Sequence, residues 1–495
     1  MALALNKRDF NILMLSIFCV GAILRIVEFV FNRSLWCDEG LLAINFLHRD
    51  FIGLTKPLDE GQVAPILFLW AEKLMMNLFG NSDLSLRVVP LVVSLLSLYL
   101  FGRLCQKVLG KGLVCLLVFI MFSASIYLLR YALEVKQYQG DMLVAMFFWL
   151  QLLNNTRFKK TNTIITFLVV GCVALWFSNV SVVVLFVAGL YIFWAEFKAT
   201  RKIPLLWVGV FAAWAVSFGA YFFLFVKSNP TEDFMLAFWA KQFPPHNVFS
   251  LQTVGWLKDA FINIADDFVP FPYAYNLYVY LLLVVIIAGV YNLLKKNQLF
   301  AYLVLAPLVL HFLLAWLKKY PFIDKFILYQ YPGLFITVGA GLQFIGETMK
   351  RLFKPVTGKV IQYVMLLPFI FLFVLNLFKH YPYEQEEIKQ SVYFIKKEIK
   401  PGQLVYVYNP CQTVFNFYKE TGVANFTNIL YGNKYRDDIQ KYKTDFTGVK
   451  GDVWLLFAHT NQKEEVFITE YLKGRGVLKA EHFSTGSHCF LFSIN

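Results

Sequence analysis

Residues 10–40 read FNILMLSIFCVGAILRIVEFVFNRSLWCDEG. Phe10 to Phe31 is an apolar run broken by few polar side chains. An α-helix rises about 1.5 Å per residue, so a run of about 20 residues crosses a hydrocarbon core about 30 Å thick. It is longer than the apolar stretch of a cleaved signal peptide, and is expected to stay as an anchor. Directly after it come two adjacent carboxylates, Asp38 and Glu39. A membrane helix that delivers an acidic pair to one surface sets the reading of everything downstream.

The remainder has the same character. Apolar residues make up 58% of the 495 and charged residues 16%, with a mean hydropathy of +0.57. Soluble domains average about 45–50% apolar and about 25% charged, so a disordered chain and an ordinary soluble enzyme are excluded. Eleven segments have the length and apolarity expected of transmembrane helices. They lie near 10–31, 84–102, 112–130, 138–153, 162–178, 180–195, 204–226, 273–294, 298–316, 326–346 and 360–378. The stretch Val63 to Phe79 is interrupted by Pro65, Glu72 and Lys73 and reads as a helix lying at the interface.

Loop charge sets the orientation. With the N-terminus in the cytoplasm, the inner loops hold seventeen Lys and Arg against three acids, Asp9, Glu196 and Glu347. That excess equals the net charge of the whole chain, +14. The basic balance is therefore a topology signal. A nucleic-acid partner, which would need a clustered basic patch on a soluble face, is not expected. The seven cysteines show no CxxC or ladder spacing, so neither a disulfide scaffold nor a zinc site is indicated.

Eleven crossings place the C-terminus outside. The chain thus divides into a membrane domain, 1–379, with a first outer loop at 32–83, and a more polar segment, 380–495. The latter carries strand-like runs at Leu404–Tyr408, Val453–Phe457 and Cys489–Ile494. Helix-like stretches lie at Tyr383–Ile399, Val414–Thr421 and Lys463–Lys473. It reads as a small extracytoplasmic α/β domain. Cys411 and Cys489 would there meet an oxidising compartment, as a disulfide or as two buried thiols.

Polar groups gather at the outer helix mouths, where their cost marks them as functional candidates. Asp38 and Glu39 could supply a general base or hold a divalent cation; a solvated acidic pair is the bland alternative. Asp59, Glu60 and Gln62 lie in a turn punctuated by Pro57, Gly61 and Pro65, and could contact a sugar or merely make a polar turn. Between the third and fourth segments, Arg130 to Asp141 packs cations, anions and aromatics into twelve residues. Arg130 or Lys136 could hold a phosphate. On a continuous helix Glu134, Gln137, Tyr138 and Asp141 would share one face. Lys318, Lys319 and Lys325 flank Tyr320-Pro321-Phe322 on the outer side, against the positive-inside trend. An anionic partner outside would explain them; so would snorkelling to headgroups. The outer loop from Lys227 to Pro272 is long enough to cover a site, with no residue singled out.

Taken in order, Asp38-Glu39, Gln62-Val63-Ala64-Pro65, Glu134-Val135-Lys136-Gln137-Tyr138 and Tyr320-Pro321-Phe322 with Lys325 resemble the motif set of the GT-C integral-membrane glycosyltransferases. The resemblance is nearest to the bacterial branch similar to protein O-mannosyltransferases and lipid A aminoarabinose transferases. It covers about residues 5–380. It implies a GT-C fold and transfer of a sugar from a polyprenyl-phosphate donor to a cell-envelope acceptor on the outer face of a bacterial inner membrane. It implies that Asp38 is the catalytic acid, with Glu39 supporting it or sharing a divalent metal. No cofactor is otherwise implied. Lys136, Lys325 and Arg130 would meet the donor phosphate. Asp59, Gln62, Glu134, Gln137, Tyr138, Asp141 and Tyr320 would line the substrate. The branch often has Arg where this chain has Lys325, which gives up bidentate geometry.

Two other readings share the topology. One is a polyprenyl-diphosphate-dependent oligosaccharide ligase or polymerase. The other is a lipid-linked sugar transporter, which would place polar groups near the midplane on broken helices rather than at outer mouths.

Overall fold

The computed structural model describes residues 6–155, 157–227, 232–268, 275–322, 324–353 and 355–495. The chain forms two compact units. The first comprises Met1–Phe29, Ala64–Phe68 and Val89–Tyr381; the second comprises Val30–Val63, Leu69–Val88 and Pro382–Asn495.

The first unit is helical. Every one of the eleven apolar segments carries helix, as apolar sequence must where backbone groups have only each other to bond. Six helices are long and apolar enough to cross a membrane: Lys7–Phe31, Asp83–Leu109, Ser181–Thr200, Leu205–Val226, Leu277–Lys296 and Gln298–Trp316. Leu113–Ala124 and Ile126–Ala132 make a seventh if counted together, bent by 53°. The bend falls at Ser125, whose extended backbone ends one helix and whose hydroxyl caps the next by accepting from Leu128 N–H. Tyr138–Asn154 and Thr161–Phe177 have 17 residues each, about 26 Å of helix, at the short end of what crosses a membrane. Six or seven spans thus meet the test of length and composition among the described residues, and the other four segments carry the helices Tyr138–Asn154, Thr161–Phe177, Tyr331–Leu352 and Pro355–His380. Large apolar side chains such as Leu15, Ile23 and Leu205 stand exposed, as lipid-facing surface requires and water would penalise.

Close packing in this unit depends on small residues. Tyr331–Leu352 lies against Tyr275–Lys296 so tightly that a Cβ on Gly341 would come 2.0 Å from the Val285 carbonyl oxygen, and one on Gly289 2.0 Å from that of Thr337. Beside Ser181–Thr200 and Leu205–Tyr221 lies an apolar groove of about 420 Å³, lined by residues including Leu185, Phe186, Gly189, Phe211 and Trp214.

The second unit is built on a five-stranded sheet of order β2-β1-β3-β5-β4. The strands are β1 (Leu404–Val407), β2 (Ile429–Tyr431), β3 (Gly451–Ala458), β4 (Gly476–Ser484) and β5 (Ser487–Ile494). β1 pairs in parallel with β2 and β3, and β5 runs antiparallel to both β3 and β4. The helix Gln412–Glu420 lies between β1 and β2 in the chain, and Gln462–Lys473 between β3 and β4. β3 is buried from Val453 to Ala458, as expected of a central strand. β2 and β4 were not expected. β2 is a three-residue edge strand, and β4 alternates with Lys479 and Glu481 on its more open face.

Candidate active site

Asp38 lies in the first turn of the helix Cys37–His48, half-buried. The chain enters this helix through Arg33-Ser34-Leu35-Trp36, and buried polar groups of the second unit hold that entry in place. The Glu387 carboxylate accepts from both the backbone N–H and the hydroxyl of Ser34, each at 3.0 Å. The Tyr418 hydroxyl accepts from Leu35 N–H at 2.7 Å and donates to Asp83 at 3.2 Å. Glu386 accepts from Cys37 N–H at 2.9 Å. Asp83 is itself paired with the Lys389 ammonium at 2.6 Å. Burial pushes the Glu387 carboxyl up and the Lys389 ammonium down, opposed by the Ser34 bonds in the first case and by Asp83 in the second.

Glu39 sits differently from its neighbour. It is fully buried, its Oε1 lies 3.4 Å from Arg87 Nη1, and its Oε2 accepts from Trp36 N–H. Arg87 is also fully buried and donates to the carbonyls of Arg33 and Ser34. Glu39 thus closes the helix start and neutralises a buried guanidinium. Glu72, on the helix Ile66–Phe79, is buried within electrostatic reach of both. Neither of its oxygens has a hydrogen-bond partner among the described residues. Burial raises its carboxyl well above the carboxylate range; Arg87 opposes this and Glu39 adds to it.

In the first unit, the polar segment from the third to the fourth apolar stretch is buried almost throughout, including Glu134, Lys136, Gln137 and Tyr138. Its helix stops at Ala132 and restarts at Tyr138, with a tight turn in which Lys136 N–H donates to the Glu134 carbonyl at 2.7 Å. Glu134 and Gln137 therefore lie in a turn, not on one helical face with Tyr138 and Asp141. Arg130 lies 4.0 Å from Glu134, with its guanidinium 5.2 Å from the centre of the Tyr131 ring. Asp141 is turned to Ser178, whose hydroxyl donates to it at 2.6 Å.

Lys325, in the 3₁₀ run Asp324–Gln330, is buried with its ammonium 5.5 Å from the Tyr138 ring centre and 5.1 Å from that of Trp239. This is cation–π geometry on two sides. The Tyr320 ring is tilted against that of His311, with ring centres 5.1 Å apart. His311 is buried inside Gln298–Trp316 and bonds the Pro321 carbonyl at 2.7 Å and the Tyr329 hydroxyl at 3.2 Å. It fixes the turn that presents Tyr320 and Lys325. Asp59 and Gln62 stand in an exposed turn of the second unit, Asp59 paired with Arg49 at 2.7 Å and Gln62 donating to the Glu60 carbonyl at 3.3 Å. In the long loop, positions 228–231 and 269–272 lie outside the described residues.

Sequence reasoning missed Arg87, Glu72, His311, Trp239, Glu386 and Glu387. The first three carried a legible signal, an ionisable group inside or at the edge of an apolar run. The others had none. The donors around Asp38 do not form a metal cage: Glu39 is engaged by Arg87, and no three His, Cys, Asp or Glu side chains converge on a metal-sized site among the described residues.

No protein-family model and no curated protein matches the sequence. Solved structures do. The crystal structure of ArnT from Cupriavidus metallidurans bound to undecaprenyl phosphate superposes with a TM-score of 0.53 at 12% identity, over 96% of this chain and 97% of that one. The apo crystal structure of the same protein gives 0.52 at 12% identity with the same coverage. At this identity the likeness is one of fold, and it extends over nearly the whole of both chains.

Proposed function

We propose that this chain is an integral-membrane glycosyltransferase of the GT-C type that takes a sugar from a polyprenyl-phosphate donor and passes it to a cell-envelope acceptor. The observation that carries the reading is the fold shared over 96% of the chain with a solved structure that holds undecaprenyl phosphate. A membrane-embedded donor of this class presents its phosphate as an anion, and Lys136 and Lys325 supply buried positive charge in a body of apolar helices. The need of an isoprenoid chain for apolar surface agrees with the groove beside Ser181–Thr200.

The chemistry follows from the charges. As the bond between the sugar's anomeric carbon and the phosphate oxygen breaks, negative charge grows on the leaving phosphate. Lys325, Lys136 and Arg130 are assigned to stabilise it, which lowers the barrier because they act on charge that develops in the transition state. Tyr138 and Trp239 keep the Lys325 ammonium in a weakly solvated setting, where its field is stronger than in water. Asp38 is assigned as the general base that takes the proton of the acceptor hydroxyl as its oxygen bonds to the anomeric carbon. One in-line displacement inverts the anomeric centre. Glu134, Gln137, Tyr138 and Tyr320 are assigned to the sugar. Asp59, Gln62 and Asp141, engaged with Arg49, the Glu60 carbonyl and Ser178, are likewise assigned to the substrate. Glu39 is assigned to positioning. The residues at hand give no reason to route a step through a metal. The proposed setting is a bacterial inner membrane, with the N-terminus cytoplasmic and the sheet domain outside.

The test is transfer by the purified chain in nanodiscs, given a panel of undecaprenyl-phosphate sugars and a membrane glycolipid extract. Wild type is expected to release undecaprenyl phosphate with one donor. Asp38→Asn is expected to lose about 100-fold or more, the scale of general base catalysis. Equal turnover in folded Asp38→Asn would remove Asp38 from the reaction. Use of a diphosphate-linked oligosaccharide instead would move the assignment to a ligase or polymerase.

A further inference from the structure

Two thiols that no step above uses stand at matched positions on a pair of packed helices in the second unit. Cys37 is the first residue of Cys37–His48, half-exposed, and Cys411 precedes Gln412–Glu420, buried. The helices run parallel. Near their C-terminal ends His48 Nε2 meets Glu420 Oε2 at 2.8 Å, and at their N-terminal ends Cys37 Sγ lies 3.8 Å from the Pro410 carbonyl oxygen. Between these, Gly40 faces Val414 so closely that a Cβ on Gly40 would be 3.1 Å from Val414 Cα. One helical turn back from Gly40 is Cys37, and one turn back from Val414 is Cys411. The same two residues line one narrow crevice, too tight to hold a water, with Leu35, Pro410, Ala458 and His459. Cys37 is also within electrostatic reach of the Cys411 thiol, one turn from a backbone approach as close as a disulfide needs.

We propose that Cys37 and Cys411 are a disulfide pair that staples the first turn of the Asp38 helix to the sheet. The half-exposed Cys37 is the thiol an external disulfide reaches. Its sulfur attacks that oxidant and forms a mixed disulfide, releasing one thiol. Cys411, whose thiol is pushed up by burial, enters second. Its sulfur displaces the oxidant's remaining thiolate from Cys37, which leaves carrying the proton. Two protein thiols are oxidised and one oxidant disulfide is reduced to two thiols. The staple fixes the residue directly before Asp38; its value to catalysis rests on the reading of Asp38 as the base, and its presence in cells rests on the outward-facing assignment.

The purified full chain in detergent is equilibrated across reduced-to-oxidised glutathione mixtures, remaining thiols are alkylated, and peptides are mapped without reduction. The expected result is a linked pair of peptides carrying Cys37 and Cys411. It should be absent from Cys37→Ser and Cys411→Ser, be reversed by dithiothreitol, and raise the Tm of wild type. Separate alkylation of both thiols across the whole range would overturn the proposal, as would linkage of Cys411 to Cys489. Asp38→Asn forms the bridge as wild type does, so an error about the base leaves this result standing. A bridge that forms in detergent but is missing from cells quenched with alkylating agent would fault the outward-facing assignment and leave the pairing intact.

Discussion

Asp38 and Glu39 are adjacent in sequence, yet the fold uses them for opposite purposes. Asp38 keeps part of its surface open, whereas Glu39 is sealed against Arg87. Removing one partner of a buried ion pair leaves the other charge uncompensated, at a cost of about 3 to 5 kcal/mol. Glu39→Gln is therefore expected to lower the Tm of the purified protein by many degrees, and by more than Asp38→Asn, whose main effect falls on turnover; thermal melts of both variants beside transfer rates read the difference. Glu72 gives a pH signature. Its folded-state carboxyl titrates above the ordinary 4.5, so between that value and its folded value the native state holds a proton that the unfolded state has lost. Stability then falls as pH rises through that window, by up to about 1.4 kcal/mol per pH unit. Glu72→Gln carries no such proton and is expected to flatten the pH dependence of Tm and melt higher than wild type at pH 8; an unchanged slope would count against a protonated Glu72. The acidic pair was legible in the sequence. Its division of labour was not, because Arg87 comes 48 residues after Glu39 and nothing local links them.

Helices of the first unit were legible because apolar length alone dictates them. What the sequence concealed was where they bend and how closely they pack. The break at residues 133–137 separates residues that a continuous helix would have aligned, and no proline or glycine marks it. Tight packing rests on Gly289 and Gly341, which are two of 28 glycines and unremarkable in the sequence. Ala at 341 would drive a Cβ against the Val285 backbone, an obstacle that no rotamer change removes. Gly341→Ala is thus expected to destabilise by about 1 to 3 kcal/mol, as overpacking does. Gly209 has nothing within 4 Å of its own added Cβ, and there Ala, the better helix former, is expected to be neutral or mildly stabilising. Melting the two variants side by side in detergent separates packing from propensity; equal shifts would mean that the close approach is not rigid.

At the scale of the whole molecule, a fold shared over 96% of the chain at 12% identity means that the pattern of apolar segments, rather than particular residues, carries the architecture. That pattern is why the membrane class could be read from composition. The second unit could not be read in full, since its parts meet through pairs such as Ser34 with Glu387, 353 residues apart. Orientation rests on charge. Seventeen basic residues against three acidic ones on one set of loops is an asymmetry that insertion machinery reads strongly. Fusing alkaline phosphatase after Asn495 is expected to give an active, exported enzyme, and fusing it after Lys160 an inactive one, with green fluorescent protein giving the reverse at both sites. The outcome also bears on the chemistry. A donor that carries its sugar on a lipid phosphate needs no nucleotide, which suits an enzyme working outside the cytoplasm. The opposite reporter pattern would put Asp38 in a compartment rich in nucleotide sugars and reducing thiols, removing both the reason for a lipid-linked donor and the oxidant for Cys37 and Cys411. Activity at neither fusion site would mean that the two points lie on one side, and so that the number of crossings between them is even. The seven segments read between Lys160 and Asn495 would then have to lose one, and the 17-residue helix Thr161–Phe177 is the first to give up.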